Sequence, residues 1–206
     1  MQYFFGIVCG YFIGSLPTAY LVVRMTKGID VRSSGSGNVG GYNAFRVTDS
    51  KRIGVAVGVI DCLKGTLAAG LAWRFFPADV AMQGAVAFGA VAGHNYSVWL
   101  RFKGGRGLAT AAGISFVTGL SYAIIWCLSW FVSYRFNRDI LKSNLIALSL
   151  TPVLLSLTPQ AFVERTMIRT SISNGEFLAA GYVATALLLL SHRDAIRDFL
   201  KRRKHE

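Results

Sequence analysis

The chain has 206 residues, of which 53% are hydrophobic and only 16% charged, and it carries a formal net charge of +12. This balance lies outside the usual range of soluble globular domains and predicts an integral membrane protein. In a soluble protein the positive charge would indicate nucleic-acid binding, but basic residues are also retained on the cytoplasmic side of membranes, so we expect no nucleic-acid partner.

Hydrophobic segments follow one another along the whole chain. The first holds no charge, is long enough to cross a bilayer and has no basic stretch before it, which predicts a retained membrane helix rather than a cleaved signal peptide. The fourth is longer than one crossing needs, and Gly119 with Ser121 predicts a break near its middle. We therefore expect a pair of short helices there. The segments cover residues 3–23, 53–76, 79–100, 107–134, 143–158 and 176–191.

The distribution of basic residues decides between two topologies. Six simple crossings would leave almost no excess of lysine and arginine on either side. With the fourth segment split, most of the 22 basic residues share one side, Arg74, Arg165 and Arg169 lie opposite, and Lys64 falls inside a helix. The second arrangement obeys the positive-inside rule. It predicts a single all-α domain over 1–206 with about seven transmembrane helices, the N-terminus outside and the C-terminus in the cytoplasm.

A first glycine-rich loop covers residues 32–41, between the first two hydrophobic segments. Backbone amides of small residues can approach an anion closely and form anion-binding nests. A hydroxyl, two carboxamides and a guanidinium in or just after the loop suit phosphate oxygens. By composition alone, a flexible loop with topological arginines is an equal alternative. The candidates are Gly35, Ser36, Gly37, Asn38, Asn43 and Arg46.

A second glycine-rich loop follows the third hydrophobic segment. A helix that starts just after Gly105 would point its N-terminal amides at a bound anion. The chain contains no GxxxxGK[ST] sequence, so nucleoside triphosphate hydrolysis is not supported. For His94 at a helix end, a neutral hydrogen-bonded histidine is the alternative. The candidates are His94, Asn95, Lys103, Gly104, Gly105 and Arg106.

A charged pair interrupts the second hydrophobic segment. Asp61 and Lys64 are three residues apart, share one helical face and are costly near lipid unless they are paired or face a cavity. They are either a structural ion pair or a brace for a polar site on a neighbouring helix. Cys9, Cys62 and Cys127 are far apart in apolar segments, form no metal-binding pattern and are interpreted as small packing residues.

Together these stretches resemble the bacterial membrane-integral acyl-phosphate:glycerol-3-phosphate acyltransferases. The similarity covers residues 10–113 in order and at the family's spacing. It is carried by residues 14–17, 27–32, 35–40 with Asn43 and 45–47, 61–65, 93–95 and 102–110.

The C-terminal half departs from the family pattern. The family's third motif, His-Arg-x-Asn-Ile, is present from His192 onward, but Ala195 replaces its asparagine. The Gly-x-Glu that closes this motif is absent. Of an Arg-Tyr-x-Ser segment only Arg138 remains, and Tyr42 and Ser97 replace a threonine and a proline in the two loops.

The resemblance implies transfer of a fatty acyl group from acyl phosphate to the 1-hydroxyl of glycerol 3-phosphate, which yields lysophosphatidic acid and phosphate. It implies no metal, no cofactor and no covalent enzyme intermediate. The enzyme would lie in the bacterial inner membrane with its site facing the cytoplasm, in contact with the lipid bilayer and linked functionally to an enzyme that produces acyl phosphate.

The resemblance also assigns roles. Arg46 and Lys103 would hold phosphate charge, Ser36 would orient a phosphate or the attacking hydroxyl, and the amides of two glycines would cradle phosphate. Either His94 or His192 would relay a proton, or the phosphate of glycerol 3-phosphate would itself serve as the base. The catalytic set is Ser36, Arg46, His94, Lys103 and His192; the substrate-binding set is Gly35, Gly37, Asn38, Asn43, Asp61, Lys64, Asn95, Gly104, Gly105, Arg106 and Arg138.

Two other functions remain open. A transporter of an anionic metabolite would also use glycine loops and arginines, but it should show inverted repeats or paired broken helices, and the sequence offers one candidate break. A catalytically weakened paralogue that binds phospholipid precursors is the second, because Ala195 replaces the motif asparagine.

Overall fold

The computed structural model describes residues 1–168 and 172–202, with side chains up to Arg197. The predicted exterior residue Arg169 and the end of the basic tail lie outside this description. Helices dominate the described residues. They are α1 Gln2–Gly14, α2 Thr18–Lys27, α3 Gly41–Thr48, α4 Lys51–Phe75, α5 Val80–Asn95, α6 Leu108–Thr118, α7 Ser121–Asn137, α8 Ile140–Leu157, α9 Gln160–Thr166, α10 Asn174–Ser191 and α11 Arg193–Arg202, with a short 3-10 turn at Val98–Leu100.

Four helical stretches of the described chain are long and apolar enough to cross a membrane. Many large apolar side chains on these helices are exposed, including Phe5, Leu63 and Leu157 on α1, α4 and α8. Such surfaces suit contact with lipid. The expected all-α membrane architecture is confirmed at this level. The stretches are Gln2–Lys27, Lys51–Phe75, Ile140–Leu157 and Asn174–Ser191.

Two helix breaks shape the fold, and the sequence predicted one of them. The long fourth segment is interrupted as expected, since α6 ends at Thr118 and α7 begins at Ser121. The stretch expected to cross the membrane over 3–23 is apolar and long enough to do so, but it is not one helix, because α1 ends at Gly14 and α2 begins at Thr18. Pro17 lies between them and has no N–H to continue the helical hydrogen bonds.

The chain forms two compact units, Met1–Val117 and Thr118–Glu206. In the first, α1 and α5 pack so closely that backbone meets backbone. A Cβ added at Gly10 or Gly14 would collide with the Val86 or Ala90 carbonyl of α5, and one at Gly93 would collide with the Tyr11 carbonyl of α1. Glycines four residues apart therefore let the two helices touch, as small residues do in membrane helix pairs.

A second core in the first unit fixes the loop between α2 and α3. Val31 and Val39 lie within this loop, and their side chains are only 0% and 4% exposed. They pack with Val23 of α2, Ala44 of α3 and Val57 of α4. Because both ends of the loop are held by buried valines, the alternative of a flexible loop does not describe it.

The second unit is built around the α7–α8 pair. Ser129 and Ser133 of α7 are buried, and small side chains of this kind allow close helix contact. Ile125, Leu155 and Phe177 form the apolar core where α10 joins the pair.

Candidate functional site

The first glycine loop enters α3 through two left-handed turns. Gly35 and Gly37 have φ angles of +61° and +69°, which glycine adopts without steric cost. Ser36 stands between them and is exposed. Arg46 is also exposed, in the last turn of α3. The loop therefore presents a hydroxyl and a guanidinium at the surface of the first unit.

Asn43 lies beneath this loop rather than on its surface. The residue is only 2% exposed. Its Oδ1 accepts the Ser36 amide at 3.0 Å. Its Nδ2 donates toward the carbonyls of Val31, Ser34 and Asn38 at 3.1, 3.1 and 3.0 Å. The carboxamide that we predicted to bind substrate is engaged by the loop backbone.

Arg32 at the start of the loop is neutralised locally. Its guanidinium donates to both carboxylate oxygens of Asp30, with Nε to Oδ1 at 3.0 Å and Nη2 to Oδ2 at 2.7 Å. This hydrogen bonding lowers the pKa of Asp30 to about 2. Arg32 also lies over the ring of Tyr20, with Cζ 4.7 Å from the ring centroid. Its charge is thus compensated, whereas Arg46 presents its guanidinium at the surface.

The second loop folds back onto the end of α5. The Gly104 amide donates to the Asn95 carbonyl and the Gly105 amide to the His94 carbonyl, both at 3.0 Å. The prediction that these two amides cradle phosphate is therefore wrong, because both N–H groups are already donated. Lys103 is exposed, and burial lowers the pKa of Arg106.

Close packing explains the two glycines better than anion binding does. A Cβ at Gly104 would collide with the His94 carbonyl. One at Gly105 would collide with the His94 ring at Nε2 and would lie 2.6 Å from the Val39 carbonyl. Val39 belongs to the first loop, so the two glycine loops meet at this point.

A buried polar cluster lies under the second loop. Lys64 Nζ is 2.9 Å from Asp61 Oδ1, and His94 Nδ1 is 3.5 Å from the same oxygen. Lys64 also donates to the Leu16 carbonyl at 2.9 Å. This carbonyl belongs to the break between α1 and α2, where helical partners are missing. The structure thus shows the ion pair that was one of the two alternatives, and it joins α4 to α5 and to the break, whereas its role as a brace for a substrate site stays a prediction.

Sequence reasoning missed two further hydrogen bonds at the break between α1 and α2. Ser97 Oγ donates to the Ser15 carbonyl at 2.6 Å. Trp99 Nε1 donates to Ser15 Oγ at 3.0 Å. The segment leading into the second loop is thus bound to the α1–α2 break. The available signal was Pro17, which follows Gly14 within an otherwise uninterrupted apolar run.

The break, the polar cluster and both loops enclose a small cavity in the first unit. Its volume of about 10 Å³ is enough for a single water molecule. Its polar lining comes from Asp61, Lys64, His94 and Ser97. The carboxamide of Asn95, the last residue of α5, is buried as well and has no hydrogen-bond partner among the described residues. This interior lies beneath both loops.

The remaining predicted residues belong to the second unit. His192 follows the last residue of α10, is 0% exposed, and has Nδ1 2.7 Å from the Leu188 carbonyl. Arg138 is exposed and ends α7 with a φ of +53°. Ala195 lies in the first turns of α11 and is partly buried.

The described residues contain no cluster of three or more histidine, cysteine or acidic side chains that could hold a metal ion. The interpretation of the cysteines as packing residues is wrong for two of them. Cys9 and Cys127 are exposed on the surfaces of their helices, and Cys62 is partly buried. Surfaces of this apolar character are where lipid would make contact.

Comparison with known proteins gives a consistent result along the chain. The family described as Glycerol-3-phosphate acyltransferase matches residues 4–202. A glycerol-3-phosphate acyltransferase of Erythrobacter litoralis is 45% identical over 121 residues, 57% of this chain and 59% of that protein. Glycerol-3-phosphate acyltransferase 1 of Dehalococcoides mccartyi is 36% identical over 202 residues, 96% of this chain and 92% of that protein.

A solved structure extends the similarity to the fold. It is a crystal structure of PlsY (YgiH), an integral membrane glycerol 3-phosphate acyltransferase, in the glycerol 3-phosphate form. It aligns with a TM-score of 0.77 and 29% identity, over 98% of this chain and 94% of that one. The chain therefore belongs to the glycerol-3-phosphate acyltransferase family.

Proposed function

We propose that this chain transfers a fatty acyl group from acyl phosphate to the 1-hydroxyl of glycerol 3-phosphate in phospholipid synthesis. The products are lysophosphatidic acid and inorganic phosphate. Membership of the family over residues 4–202 supports the reaction class. The observation that carries the assignment to this site is the meeting of the two glycine loops at Val39 and Gly105. It brings the segments that bear Ser36, Arg46 and Lys103 together in one unit.

The chemistry suits exposed cations around a rigid loop. The substrate hydroxyl oxygen attacks the acyl carbonyl carbon, the bond from that carbon to the phosphate oxygen breaks, and phosphate leaves. The hydroxyl proton passes to a phosphate oxygen of glycerol 3-phosphate itself. Arg46 and Lys103 would neutralise the two phosphate groups, and Ser36 would orient one of them or the hydroxyl. Since acyl phosphate has a good leaving group, positioning and electrostatic stabilisation are sufficient.

The buried groups would act indirectly. His94 lies under the second loop, with its Nε2 edge against Gly105 and Nδ1 toward Asp61. This position does not support the proton-relay role predicted for His94. We assign His94, Asp61 and Lys64 to holding the second loop and Lys103 in place.

The membrane setting follows from the distribution of charge. About seven helical segments, with the N-terminus outside and the C-terminus inside, would gather most basic residues in the cytoplasm. The site would then face the cytoplasm at the inner membrane of a bacterium. Acyl phosphate would come from a soluble or peripheral enzyme on that side, and lysophosphatidic acid would stay in the bilayer.

A donor test on the purified chain in detergent addresses the reaction. Glycerol 3-phosphate is supplied with palmitoyl phosphate, acyl-CoA or acyl carrier protein in turn, and lysophosphatidic acid and phosphate are measured. We expect turnover with palmitoyl phosphate alone. Turnover with none of the three would contradict the enzyme assignment and favour the weakened paralogue, whose basis is Ala195.

The same assay tests the first loop. Ser36→Ala and Arg46→Ala should each lower kcat/KM about 100-fold or more, as loss of one preorganised donor does in other enzymes. Ser33→Ala and Arg52→Ala are matched controls in the same unit and should keep near-parent rates. Parent-like rates in both Ser36→Ala and Arg46→Ala would remove this loop from the mechanism.

A further inference from the structure

The carboxamide of Asn43 links the segments that carry two exposed groups, the Ser36 hydroxyl of the first loop and the Arg46 guanidinium of α3. On the loop side, Oδ1 accepts the backbone amide of Ser36 at 3.0 Å. On the helix side, Asn43 lies in α3 one turn before Arg46. A rigid helical turn thus separates the carboxamide from the guanidinium, while one hydrogen bond separates it from Ser36.

The contact set leaves little freedom for another arrangement. The two Nδ2 hydrogens face three carbonyls, those of Val31, Ser34 and Asn38, at 3.0 to 3.1 Å. All four partners of the carboxamide are uncharged backbone groups. The opposite orientation of the amide would set its oxygen against these carbonyls and its NH₂ against the Ser36 amide. In the observed orientation every contact joins a donor to an acceptor.

Gly35, the left-handed glycine just before Ser36, also packs against the Asn43 carboxamide. A Cβ on Gly35 would collide with Asn43 Oδ1. The loop backbone at Gly35 therefore lies so close to the Asn43 carboxamide that a residue with a Cβ would not fit there. Since Asn43 is buried and fully engaged by these groups, it is not a surface group that contacts substrate.

We propose that Asn43 is a positioning residue, whose carboxamide sets Ser36 at a fixed place relative to Arg46 for acyl transfer. This inference rests on the proposed function, because it assigns Asn43 to the same site. It replaces the substrate-binding role expected from the sequence. A displacement of about 1 Å in a reacting group can lower a rate about 100-fold.

The test uses Asn43→Asp, which keeps the shape and the Oδ1 acceptor but has no N–H. An ionised carboxylate would face three carbonyls, whereas a protonated one regains one O–H donor. Burial raises the pKa of such a group, so it should gain its proton as the pH falls from about 8 to about 5.5. At the upper pH we expect kcat of Asn43→Asp to be about 100-fold below that of the parent. At the lower pH the ratio of variant to parent kcat should rise at least tenfold. Asn43→Ala should be equally low without recovery.

Gln83→Glu is the matched control. Gln83 is also buried in the first unit and donates its Nε2 hydrogens to the carbonyls of Phe76 and Pro77 at 2.9 and 3.3 Å. It lies near the opposite end of α5 from His94. We expect its activity relative to the parent to show no pH-dependent recovery. The same recovery in Gln83→Glu would overturn the inference, because any buried carboxyl would then produce it.

Hydrogen exchange of the loop peptide over residues 31–42 separates this inference from the proposed function. Exchange relative to the parent should be faster in Asn43→Asp at the upper pH and approach the parent at the lower pH. This readout requires no turnover. An inactive parent with this exchange pattern would refute the proposed reaction and support the positioning role of Asn43. An active parent, with unchanged exchange and rate in Asn43→Asp, would refute the positioning role.

Discussion

Gly104 and Gly105 illustrate how glycines that suggest anion binding can instead serve close packing. The sequence shows that a glycine is present but not where its amide points. Here both amides donate to the end of α5, and the missing side chains allow the loop to lie against His94 and Val39. The pair shapes the loop that carries Lys103, and in the proposed function anion binding falls to side chains.

Replacement of Gly105 tests this packing role. In Gly105→Ala the new methyl group would overlap His94 Nε2 and the Val39 carbonyl, so the two loops would have to separate. We expect a loss of about 1–3 kcal/mol in the free energy of unfolding, typical of overpacking, together with a marked loss of turnover. Thermal unfolding in detergent and the acyltransferase assay would measure both.

Gly84→Ala provides the comparison, because nothing lies within 4 Å of a Cβ added there in the second turn of α5. Alanine is a better helix former than glycine, so this variant should be neutral or slightly more stable. If Gly105→Ala and Gly84→Ala had the same stability and turnover, the contact between the two loops would contribute nothing to the free energy of unfolding.

The candidate residues were predictable to the extent that their chemistry is local. Glycine, serine and arginine in a polar stretch between apolar segments indicated exposed phosphate-binding groups, and Ser36, Arg46 and Lys103 are exposed. The true partners of Asn43 and His94 were not predictable. They depend on backbone atoms 5 to 12 residues away for Asn43 and on another helix for His94.

At the scale of elements, the two helix breaks differ in how the sequence marks them. The break at Gly119 lies in a segment too long for one crossing, so length revealed it. The break at Pro17 lies in a segment no longer than one membrane crossing needs, so the length of the segment did not indicate a break. Its freed carbonyls are satisfied by Ser97 and Lys64, which come from distant positions that no local pattern connects.

The α1–α5 contact gives the clearest prediction for an element. Gly10→Leu would drive a side chain into the Val86 carbonyl of α5, and the helices could no longer touch. Packing at small residues is a main source of association between membrane helices. We therefore expect Gly10→Leu to lower the thermal unfolding temperature in detergent strongly.

Gly70→Leu on α4 is the matched change, since a Cβ there meets nothing within 4 Å. Its unfolding temperature should stay close to that of the parent. If Gly10→Leu behaved in the same way, glycine spacing would have no part in joining α1 to α5.

At the scale of the whole molecule, the predicted topology makes a test possible without knowledge of the site. The all-helical membrane class could be predicted from hydropathy, since it depends only on composition along the chain. The side on which each loop lies depends on counting charges over all loops at once. Reporter fusions after Arg138 and at the C-terminus should both give cytoplasmic signals. An exterior signal from either would contradict the expected pair of short helices.

The glycine contact between α1 and α5 also has a consequence for how the chain is made. Synthesis releases α1 before α5, and the end of α5 follows the end of α1 by about 80 residues, which takes roughly 4 to 16 seconds at usual elongation rates. During that interval the glycine-lined face of α1 has no partner from its own chain. Once in the bilayer, α1 must therefore wait, covered by lipid or by the insertion machinery, until α5 arrives.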